Sequence, residues 1–283
     1  IFKSKATFLT HKRHIVFLCG GSVEKPLSSA RSKFLQYTKN NLPDPTFFLA
    51  EDASKDLLLH SNPEFINLSE FESLVAEIAH CIILFPETQG AIAELGLFSG
   101  YKLATKKLLV VNDSQHQGKE SFINLGPLDT IDKRSLFKPR LILDLSRAKP
   151  NFSDVKDRLK RLGQFHNRRL FKAETFKEMT KSERLFVILE IVNLFQALSL
   201  SEITELVTKM FGKPKSPELR HLLSILIAAK YLKRKGLDEE FFGPANPLQS
   251  FFDFQGFDYE GFRLEVVSYY ADNEPNRFGL LES

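Results

Sequence analysis

The pattern of apolar and polar positions changes character along the chain. In the first half, short apolar runs alternate with amphipathic stretches. His14–Cys19, Thr46–Ala50, Cys81–Phe85, Lys107–Asn112 and Pro139–Leu145 are such runs. Unbroken apolar runs bounded by turn signals mark strands covered on both faces. Between them, Ser29–Tyr37, Leu68–His80 and Ala91–Leu97 have helical spacing. Phe71, Leu74, Val75 and Ile78 share one helix face, with Ser69 as a cap, and Ile92, Leu95 and Phe98 share another. Strand–helix alternation predicts an α/β domain with a mainly parallel sheet, helices on both faces and strand order 2-1-3-4-5.

The second half reads differently. Asn151–Phe165, Glu183–Leu198, Ser201–Phe211 and a stretch from Ser216 to Ala229 are predicted helices, the last with Pro217 in its first turn. The apolar stretch at Leu200 is not assigned to a strand, because Ser201–Phe211 reads as a short capped helix. Tyr231–Leu237 and Glu240–Gly243 form a candidate β-wing. Three helices followed by a wing resemble a winged helix-turn-helix. The division is 1–150 for the α/β domain, 151–180 for a basic helical linker, and 181–283 for a small α+β winged-helix domain with an acidic C-terminal extension.

Composition supports two ordinary domains: 283 residues, 43% hydrophobic and 26% charged, are globular values. The 27 phenylalanines, against no tryptophan, read as core and interface filling. Net charge is only +4, but its distribution is uneven. Lys156–Lys181 holds nine Lys/Arg and three acids, whereas Gly236 to the end holds two Arg and ten acids. A basic middle suggests a polyanionic partner, although a solvated helix face is the ordinary reading of such a run. Lys156, Lys160, Arg161, Arg168, Arg169 and Lys172 are the candidate nucleic-acid contacts there, and Arg220, His221 and Lys230 those of the third helix. Two cysteines, Cys19 and Cys81, offer no disulfide or zinc pattern, so a reducing, cytoplasmic setting and no metal are expected. No apolar run reaches membrane-spanning length and no signal peptide is visible, so no membrane partner is expected.

Candidate chemistry gathers where the predicted strands end. Pro86 and Gly90 break the chain after Cys81–Phe85, and the next helix carries Glu94 near its start. In an open α/β sheet, ligands bind in the crevice beyond the carboxyl ends of the strands. Glu94 and Glu87 are therefore the candidate catalytic pair. A plainer reading of Glu94 is compensation of the helix dipole. Cys19, Gly20 and Gly21 end the first strand in a turn whose backbone can approach a phosphate or sugar. Glu51 and Asp52 end the second strand and face either the crevice or solvent. Gly90, Ser99 and Asn124 complete the candidate substrate contacts.

The segment Gly90-Ala-Ile-Ala-Glu-Leu-Gly96 resembles the Gly-Thr-x-x-Glu-Leu-Gly signature of nucleoside deoxyribosyltransferases, with Ala91 where that family has Thr or Ser. His14–Gly21, Ile83–Gly90, Ala93–Ser99 and Ser121–Pro127, followed by a basic helix and a winged helix, together resemble the effector of type II-A retrons. That family implies a flavodoxin-like, nucleoside deoxyribosyltransferase-like sheet domain. It also implies an anti-phage toxin that cleaves N-glycosidic bonds, with NAD as substrate and no resident cofactor. Its partners are the retron reverse transcriptase and the branched msDNA/ncRNA, within a larger oligomeric complex. The resemblance gives Glu94 the role of the carboxylate at the anomeric carbon. Glu87 would orient a ribose hydroxyl or activate water. Free nucleosides or nucleotides as substrates, a non-catalytic nucleotide sensor and a DNA-binding regulator are the alternatives.

Overall fold

The computed structural model describes residues 2, 7–10, 14–42, 46–49, 51–52, 55, 68–118, 120–165, 168–236, 240–245 and 250–281. Ala50 and Leu237, used above to bound predicted elements, lie outside these. The chain divides into two compact units, Arg13–Ala50 with Ser69–His166, and Ile1–Lys12 with Glu51–Leu68 and Asn167–Ser283. They are called here the sheet unit and the helical unit. Within the stretch 151–180, residues 151–166 count with the sheet unit and 167–180 with the helical unit. The N-terminal segment also counts with the helical unit, because β1 (Thr7–Leu9) pairs there.

The sheet unit follows in chain order as β2 (Ile15–Cys19), α1 (Ala30–Asn41), β3 (Thr46–Leu49), α2 (Leu68–Ile78), β4 (Cys81–Leu84), α3 (Gln89–Gly100), α4 (Lys102–Lys107), β5 (Leu108–Asp113), α5 (Asp129–Arg134), β6 (Leu141–Leu143) and α6 (Ser153–Leu159). Its five strands are all parallel, in the order β3-β2-β4-β5-β6. This is the order expected from sequence, and the arrangement is consistent with a flavodoxin-like core.

Side chains alternate across each strand, so each apolar run feeds two layers. Val16, Leu18, Ile83, Phe85, Leu109 and Val111 share one core cluster with Phe34 of α1 and Val155 of α6. Phe17 faces the other way, stacked on Phe48 with ring centroids 5.4 Å apart and edge-on to Phe98 of α3 at 6.1 Å. Phe152, Leu159 and Leu162 complete the first layer. The apolar side of the start of the basic stretch is therefore core to the sheet unit. Each such fully buried phenylalanine contributes about 1.5–3 kcal/mol.

The helical unit contains β7 (Arg169–Leu170), α7 (Lys181–Phe195), β8 (Leu198–Ser199), α8 (Leu200–Phe211), α9 (Ser216–Ala228), β9 (Leu232–Lys235), β10 (Phe241–Pro244), β11 (Phe252–Phe254), α10 (Tyr259–Asn273) and α11 (Pro275–Gly279). Helix α7 is buried nearly all round, from Leu185 to Leu194, as a central core helix must be. A capping box between Thr180 and Glu183 starts it. Strand β10 pairs antiparallel with β8 and β9, and β1 pairs antiparallel with β7 and β11. The strand at Leu198–Ser199 was not expected. It exists because Phe241 and Phe242 pair with it, a contact with no local signal.

Candidate functional site at the carboxyl edge of the sheet

Helices α1 and α3 lie on opposite faces of the sheet, and the strand order reverses at β2 and β4. The crevice therefore opens between the loop after β2 and the loop after β4. Glu87 sits in the second loop, and its carboxylate reaches back to the first. Oε1 accepts hydrogen bonds from the N–H of Gly21 at 2.8 Å and of Arg31 at 3.2 Å, while Oε2 accepts from the N–H of Ala30 at 2.7 Å. Ala30 and Arg31 open α1, so Glu87 satisfies two orphan helix donors and places a negative charge at the positive end of the helix. Ser29 caps the same helix through a capping box with Ser32, and its hydroxyl donates to Ser22 O at 2.8 Å. Arg31, buried, donates from Nε to Gly21 O at 2.7 Å and from Nη1 to Leu18 O at 3.3 Å.

This stitching explains the glycine pair. A Cβ on Gly21 would lie 2.8 Å from Ser29 Cβ and 3.0 Å from Glu87 Oε1. Gly20 has φ +153, and a Cβ there would lie 3.0 Å from Arg31 Cβ. The glycines are small because Glu87, Ser29 and Arg31 converge on them. The Gly21 N–H already serves Glu87, and so is not offered to a phosphate or a ribose. Cys19 is fully buried in the core, and its carbonyl accepts from Phe85 N–H at 3.0 Å.

Glu94 has a different setting. Thr88 caps α3 by accepting the Ala91 N–H at 3.2 Å, which places Glu94 in the second turn. Its side chain is half-buried and its Oε2 is shielded from solvent. The core stripe of α3 is Ala91, Leu95 and Phe98, spaced i, i+4, i+7. Ile92, expected on that stripe, is 39% exposed, because it lies one residue, about 100°, around the helix. Gly90 lies four residues before Glu94 and so on the same helix face. A Cβ on Gly90 would meet only Thr88 Oγ1 at 4.0 Å, so no packing demands glycine there.

The remaining candidates separate. Ser99 is about 140° around α3 from Glu94, and its hydroxyl donates to Gly96 O at 3.0 Å. Asn124 begins a single π-helical turn, Asn124–Leu128, that packs against α3. Its Nδ2 donates to Ser121 Oγ at 3.3 Å and its Oδ1 accepts from Arg140 Nη1 at 3.1 Å, so its amide shapes the loop. Phe122 and Leu125 beside it are 84% and 70% exposed. Glu51 and Asp52 are helical and count with the helical unit. Sequence reasoning missed Arg31 and Ser29. The Ser29-x-x-Ser32 pattern was the available signal for the cap.

The basic run is spread over both units. Lys160 pairs with Asp157 at 2.7 Å, and Arg161 Nη1 donates to Leu136 O at 3.0 Å and Lys138 O at 2.8 Å. Arg168 pairs with Asp253 at 3.0 Å and lies 3.5 Å over the Phe8 ring, and Arg169 pairs with Glu183 at 2.8 Å. Lys156 and Lys172 are exposed. Arg220 is half-buried on α9, and Lys230 follows that helix, exposed, with φ +58.

At the opposite, amino edge of the sheet, Lys107 Nζ donates to Glu77 O at 2.6 Å and Ala76 O at 3.3 Å, the last carbonyls of α2. Burial pulls its pKa down to about 8. This is a helix cap in the core and not part of the crevice. Among the described residues no group of His, Cys, Asp and Glu is arranged to hold a metal, and no helix is long and apolar enough to cross a membrane.

The model of one family, described as "STM3845 retron effector protein", matches residues 27–234, which include Glu87, Glu94 and most of the helical unit. The chain belongs to this retron effector family. Among its relatives is an Escherichia coli protein named "Retron Ec73 putative ribosyltransferase/DNA-binding protein". It is 27% identical over 246 residues, covering 81% of this chain and 78% of the relative. The Escherichia coli counterpart of retron Ec86 carries the same form of name and is 36% identical over 118 residues, covering 42% of this chain and 37% of that protein.

Proposed function

We propose that this retron effector is an anti-phage toxin whose sheet unit cleaves N-glycosidic bonds, hydrolysing NAD to nicotinamide and ADP-ribose through Glu94. The observation that carries this reading is the placement of the two carboxylates after the central strand. Glu87 is committed to three backbone N–H groups of the neighbouring loop and helix, whereas Glu94 lies half-buried in the second turn of α3, the helix that follows that strand. The name of the relatives supports ribosyl chemistry for the family.

In the reaction, the bond between ribose C1′ and the nicotinamide nitrogen breaks, and its electron pair leaves with neutral nicotinamide. Positive charge develops on C1′ and the ring oxygen, and a carboxylate beneath C1′ stabilises it or bonds to it transiently. Water then supplies the hydroxyl to C1′ and releases a proton. The leaving group is already cationic in NAD, so no strong general acid is needed. Glu87 acts here as a positioning residue that holds the Gly20–Ser22 loop.

Purified protein and its Glu94→Gln variant, incubated with NAD and analysed for nicotinamide and ADP-ribose, test this. Nicotinamide release by wild type alone supports it. Equal release by Glu94→Gln, or intact NAD alongside cleavage of nucleosides or nucleotides, overturns it. Transfer of the ribosyl group to an acceptor other than water is a second reading, favoured by the relatives' name. It appears in the same assay as nicotinamide release without matching ADP-ribose.

For the helical unit we propose a winged helix, with α7, α8 and α9 as its helices and β8, β10 and β9 as its sheet. The "DNA-binding" part of the relatives' name supports contact with the msDNA through Arg220 and Lys230, with the retron reverse transcriptase holding the effector in check. Exposed Phe122 and Leu125 beside α3 support assembly of copies within that complex.

A further inference from the structure

The helical unit contains an open groove of about 560 Å³ that neither the glycosidic reaction nor the proposed winged-helix contacts use. Its walls are two helices. On α8 the lining positions are Glu202, Glu205, Leu206 and Lys209, and on α10 they include Phe262, Glu265, Val266 and Tyr269. Both sets recur at i, i+3, i+4, i+7, the spacing of one helix face. Two helices that each present such a face to the same trough leave room for a third amphipathic helix to complete the packing. The inner wall is apolar: Leu206, Phe262 and Val266 are only half-buried, and Phe195 lines the groove edge-on to Phe262 with ring centroids 5.5 Å apart.

The rim has the opposite chemistry. Four carboxylates line the groove, Glu202, Glu205, Glu265 and Glu274, against two cations. Lys209 is held by Glu205 at 2.6 Å, and Arg277 is held by Glu202 at 2.8 Å and by Glu274 at 2.9 Å. Glu205 and Glu265 are exposed, one on each wall. An acidic rim repels nucleic acid and anionic lipid, and it attracts lysines and arginines flanking an apolar stripe. We propose that the α8–α10 groove is a docking site for a basic amphipathic helix of a protein partner. Apolar anchors of that helix seat against Leu206, Phe262 and Val266, and its flanking cations meet Glu205 and Glu265. The proposal is independent of the glycosidic reading.

Fluorescence anisotropy with the full-length protein tests it, using labelled synthetic peptides. One is an amphipathic Leu/Lys helix, one has Glu in place of Lys, and one has Ser in place of Leu. The expected result is binding of the Leu/Lys peptide at least about ten-fold tighter than either control. Val266→Asp should weaken it by about ten-fold or more at unchanged circular dichroism. Glu205→Lys with Glu265→Lys, both surface changes, should invert the preference toward the Leu/Glu peptide. Equal binding of the Ser/Lys peptide, or a preference that the double reversal leaves unchanged, overturns the proposal. So does light scattering that shows a dimer lost in Val266→Asp, since a second copy would then fill the groove.

Discussion

The N–H of Gly21 donates to Glu87 Oε1 at 2.8 Å across 66 positions of sequence, tying the loop after the first strand of the sheet unit to the loop after the third. With the Ala30 and Arg31 N–H groups on the same carboxylate, this bond makes Glu87 the clasp of the crevice. Glu87→Ala should cost about 1–3 kcal/mol of stability, because it strands helix donors. Urea unfolding measures this. A Glu87→Ala protein as stable as wild type but inactive would return Glu87 to the role of a catalytic base.

Glu94→Gln should behave in the opposite way. Glycosidic cleavage should fall by about 100-fold or more, since the developing charge at C1′ loses its counter-charge. Stability should stay within about 0.5 kcal/mol of wild type, because the side chain keeps its shape. Initial rates of nicotinamide release and thermal unfolding on the same preparation separate the two effects.

Gly90→Leu tests whether substrate reaches Glu94 past the first turn of α3. The position is helical, and a Cβ there meets nothing closer than 4.0 Å. The variant should fold with stability equal to wild type or up to about 1 kcal/mol higher, from better helix propensity. It should nevertheless lose activity, chiefly through a raised KM, because the new side chain adds bulk one helical turn before Glu94. Undiminished kcat/KM would show that substrate enters from elsewhere.

The helical unit should become less stable as pH rises toward neutrality. Glu190 on α7 is fully buried, accepts a 2.6 Å hydrogen bond from Ser250 Oγ, and has its pKa raised to about 7 by burial. Hydrogen bonds from Ser250 and Tyr259 and the nearby Arg263 charge oppose that rise. A carboxyl pKa raised above its ordinary 4.5 means the folded state holds an extra proton in between. The stabilisation is therefore complete below about pH 4.5 and is lost, by up to about 3 kcal/mol, as pH passes 7. Glu190→Gln should flatten this slope in thermal unfolding followed between pH 4.5 and 8.

Much of the sheet unit was legible in the chain because its strands are covered on both faces. His14–Cys19 and Cys81–Phe85 need nothing beyond their own composition to be recognised, and the crevice follows from where they end. Ile92 was misplaced because a helix pattern gives a stripe only to within one residue. Ala91 is small enough to be overlooked as the buried member. The strand at Leu198–Ser199 was missed because two residues carry no period, and only Phe241 and Phe242 define it.

The sequence by itself determined the strand–helix alternation, the position of Glu94 beyond a buried strand, the resemblance to retron effectors and the polarity between a basic middle and an acidic tail. These are carried by local composition and by motifs of neighbouring residues. Tertiary structure alone decided that Glu87 is a clasp, that Gly20 and Gly21 make room for it, that Cys19 is buried in the core, and that the basic stretch divides between two units. Each of these depends on which distant backbone donors and side chains meet. A hydrogen bond spanning 66 residues leaves no periodic trace in the chain that makes it.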